Sequence, residues 1–341
     1  MSSLRIVDAT DKLVWDGFVT ALPEANFLQS WDFYEFHSLR GKKIVRRLVL
    51  DGNAVVGAYA GVVETAKRGT YMAIAGGPLI DWGNHKMVDL VFADIREQGL
   101  LHHCVFVRVR PQLEMSEKSL GLMAELGLKR APMYLSVEYA GVLDLTRTRE
   151  EILAGASQGF RRKLRKAEKL DIEVSWSDNM KAIREFCDLE AKHAVRQQYV
   201  AFSSEFLTKQ FEAFRKGGEV LIYTARYEGE ILAQNFMIFY GPEASYHYGV
   251  SSELGTKYSA APLLHLSAMD EARARGCIRY NLWGIVGREE TNHRFYGVSE
   301  FKRSFGCEEL RYTPAHDMVL NPLKYRLNWA VETVRKKKRR V

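Results

Sequence analysis

A repeat constrains this chain more than any other feature. In VRRLVL-DGN-AVVGAYAGVVE two apolar, β-branched runs meet at Asp51-Gly52-Asn53, and in EVLIYTARY-EGE-ILAQNFMIFYG two more meet at Glu228-Gly229-Glu230. Each reads as a β-hairpin, because a glycine-bearing turn between such runs matches the twist of the strands it joins. Downstream of the first hairpin the helix-spaced HKMVDLVFADIREQG leads into the strand-like CVFVRVRP; downstream of the second, APLLHLSAMDEARARG leads into CIRYNLWG. Gly52 and Gly229 stand 177 positions apart, and so do Gly99 and Gly276, the glycines expected to end the two helices. Recurrence of turn, helix end and following strand predicts two copies of one mixed α/β unit. A length of 341 residues suits two domains of ordinary size. The junction is expected near Leu143-Asp144-Leu145-Thr146, ahead of a basic helix that Thr146 or Thr148 would cap.

Composition narrows the class. Hydrophobic content of 47% and charged content of 27% are globular values. No run approaches the roughly 18 apolar residues of a membrane span, and Asp8, Asp11 and Lys12 interrupt any signal-peptide core, so a cytoplasmic protein is expected. The four cysteines form no C-x-x-C pair and the nine histidines no H-x-x-x-H pattern, so neither disulfides nor a metal site is expected, and His102-His103 reads as a surface turn. The net charge of +7 is local: the tail RKKKRR, Arg335 to Arg340, supplies six of the excess cations. A second concentration, FRRKLRKAEK, sets Arg161, Arg162, Lys163, Arg165, Lys166 and Lys169 against Glu168 alone. It reads as a solvated helix face, a phosphate-contacting surface or a dock for anionic lipid head groups. Two such clusters in an otherwise balanced chain point to a polyanionic partner.

Several segments carry candidate chemistry. GVSEFKRSFGC sets Lys302 between Phe301 and Phe305. An extended segment would turn Lys302 away from both rings, whereas a helical turn would stack the rings four apart with Lys302 beside them. In SYHYGVSSELGTKYSAAP, Tyr246 and Tyr248 ahead of Gly249 suit the rim of a cleft, and Tyr258 stands at the start of the second helix. YNLWGIVGREETNHRFYG runs from a strand into a long irregular connection, with Trp283 at its mouth. In LEAKHAVRQQY, His193 and Arg196 share a helical face, and Arg196 suits bidentate binding of phosphate or carboxylate. NFLQSWDFYEFHSLRGKK gathers Phe27, Trp31, Phe33, Tyr34 and Phe36 around His37, with Arg40, Lys42 and Lys43 following as one wall of an anion site.

The order FLQSWDFYEF, FRRKLRKAEK, RQQY, SYHYGVSSELGTKYSAAPLLHLSAMDEARARG, YNLWGI and GVSEFKRSFG resembles the Fem family, non-ribosomal peptidyltransferases that build peptidoglycan interpeptide branches. The resemblance spans nearly the whole chain and is most specific from Tyr246 to Gly306. It implies two tandem acetyltransferase-like (GNAT-type) domains with mixed, largely antiparallel sheets and no coiled-coil arm. Residues 1–145 would form the first, completed by a C-terminal helix over 317–341, and residues 146–316 the second. It implies an aminoacyl-tRNA as co-substrate, no further cofactor, and as acceptor a stem-peptide amine of a nucleotide- or lipid-linked peptidoglycan precursor. In the family pattern Phe301-Lys302 and Tyr258 match catalytic positions, Arg196 a phosphate contact, and His37 a cationic position that Arg40 or Lys42 would have to supply. Cys307 stands where a second glycine is common. Tyr246, Tyr248 and Trp283 are substrate-contact candidates on position alone, and Arg161, Arg162, Arg165 and Lys166 candidates for tRNA or lipid. The basic C-terminus would touch the inner face of the plasma membrane.

Such a transfer asks little of the protein beyond orientation and stabilisation of the tetrahedral oxyanion, a task suited to a cation at Lys302 in a water-poor site. Two rival readings remain. One is an acyl-CoA-dependent N-acetyltransferase, whose glycine-rich pyrophosphate turn GTKYSAAP lacks. The other is a non-catalytic binder of tRNA or anionic membrane.

Overall fold

The structure is a computed structural model that describes residues 4–339, with side chains as far as Lys336 at the C-terminal end. The first half runs β1 (Leu4–Asp8), α1 (Lys12–Val19), α2 (Trp31–Leu39), β2 (Lys43–Asp51), β3 (Ala54–Ala66) and β4 (Gly69–Gly76). It continues with α3 (His85–Leu101), β5 (Cys104–Pro111), α4 (Glu117–Glu125), β6 (Lys129–Arg130) and β7 (Tyr139–Asp144). The second half opens with α5 (Arg149–Gly155), α6 (Gln158–Ala167), β8 (Glu173–Ser177), α7 (Met180–Gln197) and α8 (Ser204–Arg215). Then come β9 (Val220–Tyr227), β10 (Glu230–Tyr240), β11 (Glu243–Ser251), α9 (Glu253–Tyr258), α10 (Ala261–Ala274) and β12 (Arg279–Gly284). The chain closes with α11 (Tyr296–Arg303), β13 (Glu308–Arg311), β14 (His316–Val319) and α12 (Pro322–Arg339).

Two seven-stranded mixed sheets result, ordered β1-β2-β3-β4-β5-β14-β6 and β8-β9-β10-β11-β12-β7-β13. Written side by side, the orders coincide. In both, the fourth and fifth strands are parallel and the sixth is antiparallel to the fifth. The repeat is therefore one topology used twice. One compact unit comprises the chain through Tyr139 with Arg288–Arg294 and everything from Leu310; the other comprises Ala140–Gly287 with Phe295–Glu309. Strand β7, which the sequence reading assigns to the first domain, belongs to the second sheet because its hydrogen-bond partner is β12. The sixth place in the first sheet goes to β14, near the other end of the chain.

Both hairpins close with two-residue loops. Gly52 adopts φ +60° as the first loop residue, whereas Glu228 and Gly229 both have positive φ, +50° and +82°. These are the II′ and I′ patterns that the strand twist favours. The helix ends differ from expectation. Gly276, at φ +80°, follows α10 as predicted, but Gly99 does not end α3, which continues to Leu101 and turns at His103 with φ +53°. Gly99 is small for another reason: a Cβ there would come within 2.8 Å of Leu320 and Val107 side-chain atoms. Neither cap candidate caps the basic helix: Thr148 caps the short α5 before it, in a reciprocal capping box with Glu151, and the basic α6 is capped by Ser157.

In the first unit α3 lays Met87, Val88, Val91 and Ile95 on Val107, Val109 and Ile74 of the sheet. In the second unit α10 and α6 bury Leu264, Met269, Phe160 and Leu164 against Tyr223, Met237 and Tyr280. The outer face of α6 leaves Arg162, Lys163, Arg165 and Lys166 exposed. Among the described residues no helix is long and apolar enough to cross a membrane.

Candidate active site

The second sheet opens where the first stays closed. β4 and β5 pair from Thr70 to Gly76, whereas β11 and β12 pair only at Glu243–Ser245 against Arg279–Asn281 and then part. Two irregularities widen the gap. A bulge in β11 brings Tyr246 and Tyr248 opposite neighbouring residues of β10, and Trp283 takes a left-handed backbone, φ +67°, where β12 loses register with β7. A tryptophan in that region costs on the order of 1–2 kcal/mol, and its N–H is tied down by the Asn281 Oδ1, 2.8 Å away. The reward is directional: the next carbonyl, of Gly284, accepts a hydrogen bond from Lys302 Nζ at 2.7 Å.

Lys302 reaches that carbonyl from the last turn of α11, so the helical alternative for the Phe-Lys segment is the one realised. Phe301 and Phe305 meet edge to face at 5.2 Å, and Phe305 packs on Phe160 at 4.4 Å. The helix is thereby anchored through its rings, and Lys302 is buried, 7% exposed, with its Nζ 5.7 Å from the centre of the Tyr246 ring. Among the described residues no carboxylate pairs with it. Burial draws its pKa down to about 7. A buried ammonium without a counter-ion costs several kcal/mol, which makes Lys302 a candidate functional group.

Behind Lys302 stands a residue the sequence reading did not single out. His265 of α10 is fully buried, and its Nδ1 lies 2.8 Å from the Tyr280 hydroxyl. Its Nε2 has no hydrogen-bond partner. Its ring is edge-on to Tyr246 at 4.5 Å and to Phe305 at 4.9 Å. Burial, helped by the charge of Lys302, pulls its pKa to about 3, so it is neutral. Its signal is faint, one histidine within the largely apolar APLLHLSAM. Tyr246 has room for its hydroxyl only because residue 249 is glycine: a Cβ there would overlap the Tyr246 Oη at 1.7 Å. Cys307 donates its thiol to the Lys302 carbonyl, with Gly141 beneath its sulfur.

The other candidates are distributed. Trp283 is edge-on to His247 at 5.6 Å, and Tyr248 packs on His247, Phe202 and Phe236, forming an aromatic wall at the opening. Tyr258 ends α9 and packs on Tyr227 at 5.4 Å; no described contact joins it to Lys302. Arg196 donates to the Ser251 carbonyl at the end of β11 and lies 2.9 Å from His193 Nδ1. In the first unit His37 sits 4.8 Å from both Phe33 and Phe36, and burial with nearby Arg40 and Lys42 pulls its pKa to about 3. It is neutral, and the adjacent cation is Arg40, 3.3 Å from its Nδ1 and over the Phe36 ring. Arg161 turns back to the carbonyls of Leu153, Ala154 and Ala156 at the end of α5, whereas Arg162, Arg165 and Lys166 stay exposed.

Comparison with known proteins agrees with the fold. The structure of FemX superposes with a TM-score of 0.86 over 95% of this chain and 99% of that one, at 17% identity. A tandem GNAT protein from the clavulanic acid biosynthesis pathway matches at a TM-score of 0.56, 14% identity, 93% of this chain and 98% of that one. A conserved protein of unknown function from Bacteroides thetaiotaomicron matches at 0.61, 14% identity, 93% and 100% coverage. These likenesses establish the tandem GNAT-like fold. No curated protein matches in sequence. The model of the FemAB family matches residues 10–125 and 223–333, which covers α1 through α4 and β10 through β14 with most of α12. Membership supports a transferase role, of the peptidoglycan-bridge kind in general terms. With most of its length matched by that model, the chain belongs to the FemAB family.

Proposed function

We propose that the protein transfers an aminoacyl group from aminoacyl-tRNA to a stem-peptide amine of a peptidoglycan precursor, with Lys302 stabilising the oxyanion. One observation carries this: a buried lysine without a carboxylate partner, held on the Gly284 carbonyl where β11 and β12 part. In the reaction the acceptor nitrogen bonds to the ester carbonyl carbon and the carbon–oxygen bond to the tRNA breaks. The proton lost by the amine ends on the departing ribose hydroxyl. No cofactor is required. Negative charge collects on the carbonyl oxygen between these events, and a desolvated cation acts on it far more strongly than one in water.

With its pKa near 7, Lys302 is partly neutral in the free protein at neutral pH. An approaching oxyanion favours the ammonium, so charge forms where and when it is needed. Phe301 and Phe305 fix the helix and His265 fills the space behind, which keeps competing water out. Tyr246, Tyr248 and Trp283 offer faces for the substrate at the opening, and Arg196 supplies a cation for precursor phosphate. Tyr258 would act from the substrate side. The exposed cations of α6 would take tRNA phosphates.

The acetyl-CoA reading is disfavoured by backbone chemistry. At the start of α10 the Ala260 N–H is given to the Gly255 carbonyl and the Leu263 N–H to the Ala260 carbonyl, while Pro262 has none. That leaves a poor cradle for a pyrophosphate. The deciding experiment incubates the protein with charged tRNA pools and both nucleotide- and lipid-linked precursors, with products identified by mass. An added aminoacyl residue is expected; modification only with acetyl-CoA would overturn the reading.

A further inference from the structure

The last helix carries a surface that the transfer reaction does not use. α12 is docked on the first unit by one face. Tyr325 donates its hydroxyl to Asp317 at 2.9 Å, Asn328 accepts from Arg68 Nε at 3.0 Å, and Glu332 accepts from Arg108 Nη2 at 2.8 Å. The opposite face is apolar and bare. Leu323, Leu327, Ala330 and Val334 recur at steps of four, three and four, which aligns them in one stripe. Leu323, Leu327 and Val334 are 79%, 59% and 65% exposed. Lys324, Arg326 and Arg335 are exposed on the flanks of the stripe, and the helix's one acid, Glu332, is turned inward to Arg108.

Water solvates the cations but gains nothing from three aligned aliphatic side chains. A second copy of the helix would cover the aliphatics but bring like-charged flanks together. RNA would answer the charges and leave the leucines unused. An anionic bilayer satisfies both, because such a helix lies in the head-group plane with its apolar face down and its cations at lipid phosphates. We propose that α12 is an interfacial anchor that seats this protein on anionic membrane. The basic run continues in sequence to Arg340, beyond the described residues. This inference is independent of the transfer chemistry.

The test is co-sedimentation of the full chain with vesicles of phosphatidylcholine alone or mixed equally with phosphatidylglycerol, at low and high salt. Binding to the mixed vesicles is expected, weak binding to phosphatidylcholine, and a loss of about tenfold for each of Leu323→Ser and Leu327→Ser. These positions are exposed, so unchanged melting of the variants checks that they still fold. Replacing Lys324, Arg326 and Arg335 by Gln should weaken the preference for phosphatidylglycerol. Full vesicle affinity in the double leucine variant would overturn the proposal, leaving only a diffuse electrostatic attraction. Equal binding to both vesicle types would overturn its anionic part. A dimer in solution that Leu327→Ser dissociates, without vesicle binding by the wild type, would assign the stripe to a second copy instead.

Discussion

Lys302 shows how much one residue can cost a fold. Its pKa is about 7 in the folded protein, against 10.5 as its ordinary value, so the folded state binds fewer protons than the unfolded one between those limits. Its contribution to stability is therefore full above about pH 10.5 and is lost as pH falls through about 7. Lys302→Met, of similar length and without charge, should be more stable than the wild type at pH 7 by on the order of 3 kcal/mol, with the gap closing above pH 10. Denaturant melts at the two pH values check the sign. His265→Phe keeps the packing but removes the pairing with Tyr280, and should lower turnover more than substrate affinity by loosening Lys302. In the His265→Phe background Lys302→Met should cost less than it does in the wild type. The sequence made Lys302 legible because two rings bracket it. His265 was not legible, because a lone histidine in an apolar helix reads the same whether or not a lysine lies against it.

At the scale of elements, the repeat was visible in turn chemistry and misread in one cap. Glycine can mark a left-handed helix end or a close approach between elements, and sequence does not separate the two. Gly276 is the first kind and Gly99 the second. The left-handed position of α3 falls instead to His103, at some cost in backbone strain. His103→Gly should stabilise the protein by about 0.5–1 kcal/mol, whereas Gly99→Val should destabilise it by about 1–3 kcal/mol through overpacking against Leu320 and Val107. Thermal melts of both variants separate the roles; a neutral Gly99→Val would contradict the packing argument. The parting of β11 and β12 could not be foreseen, since it depends on how far two distant strands stay in register.

For the whole molecule, two sheets of one topology do not mean two independent sequence halves. The first sheet takes its sixth strand, β14, from the far end of the chain, and the second takes β7 from the first half. A fragment of residues 1–145 would leave the fully buried β5 with an unpaired edge, and should lack a cooperative melt. Appending residues 310–339 through a flexible linker should restore it. A cooperative melt of the short fragment would contradict this strand assignment. Among the described residues the strands part between β11 and β12, beside Lys302, and stay paired between the corresponding β4 and β5. The most direct measurement is steady-state transfer by wild type and Lys302→Met, with aminoacyl-tRNA and precursor each varied. The account predicts a fall in kcat of about 100-fold or more, with KM for both substrates within a few-fold of wild type. Unchanged kcat, or a loss confined to KM, would contradict it.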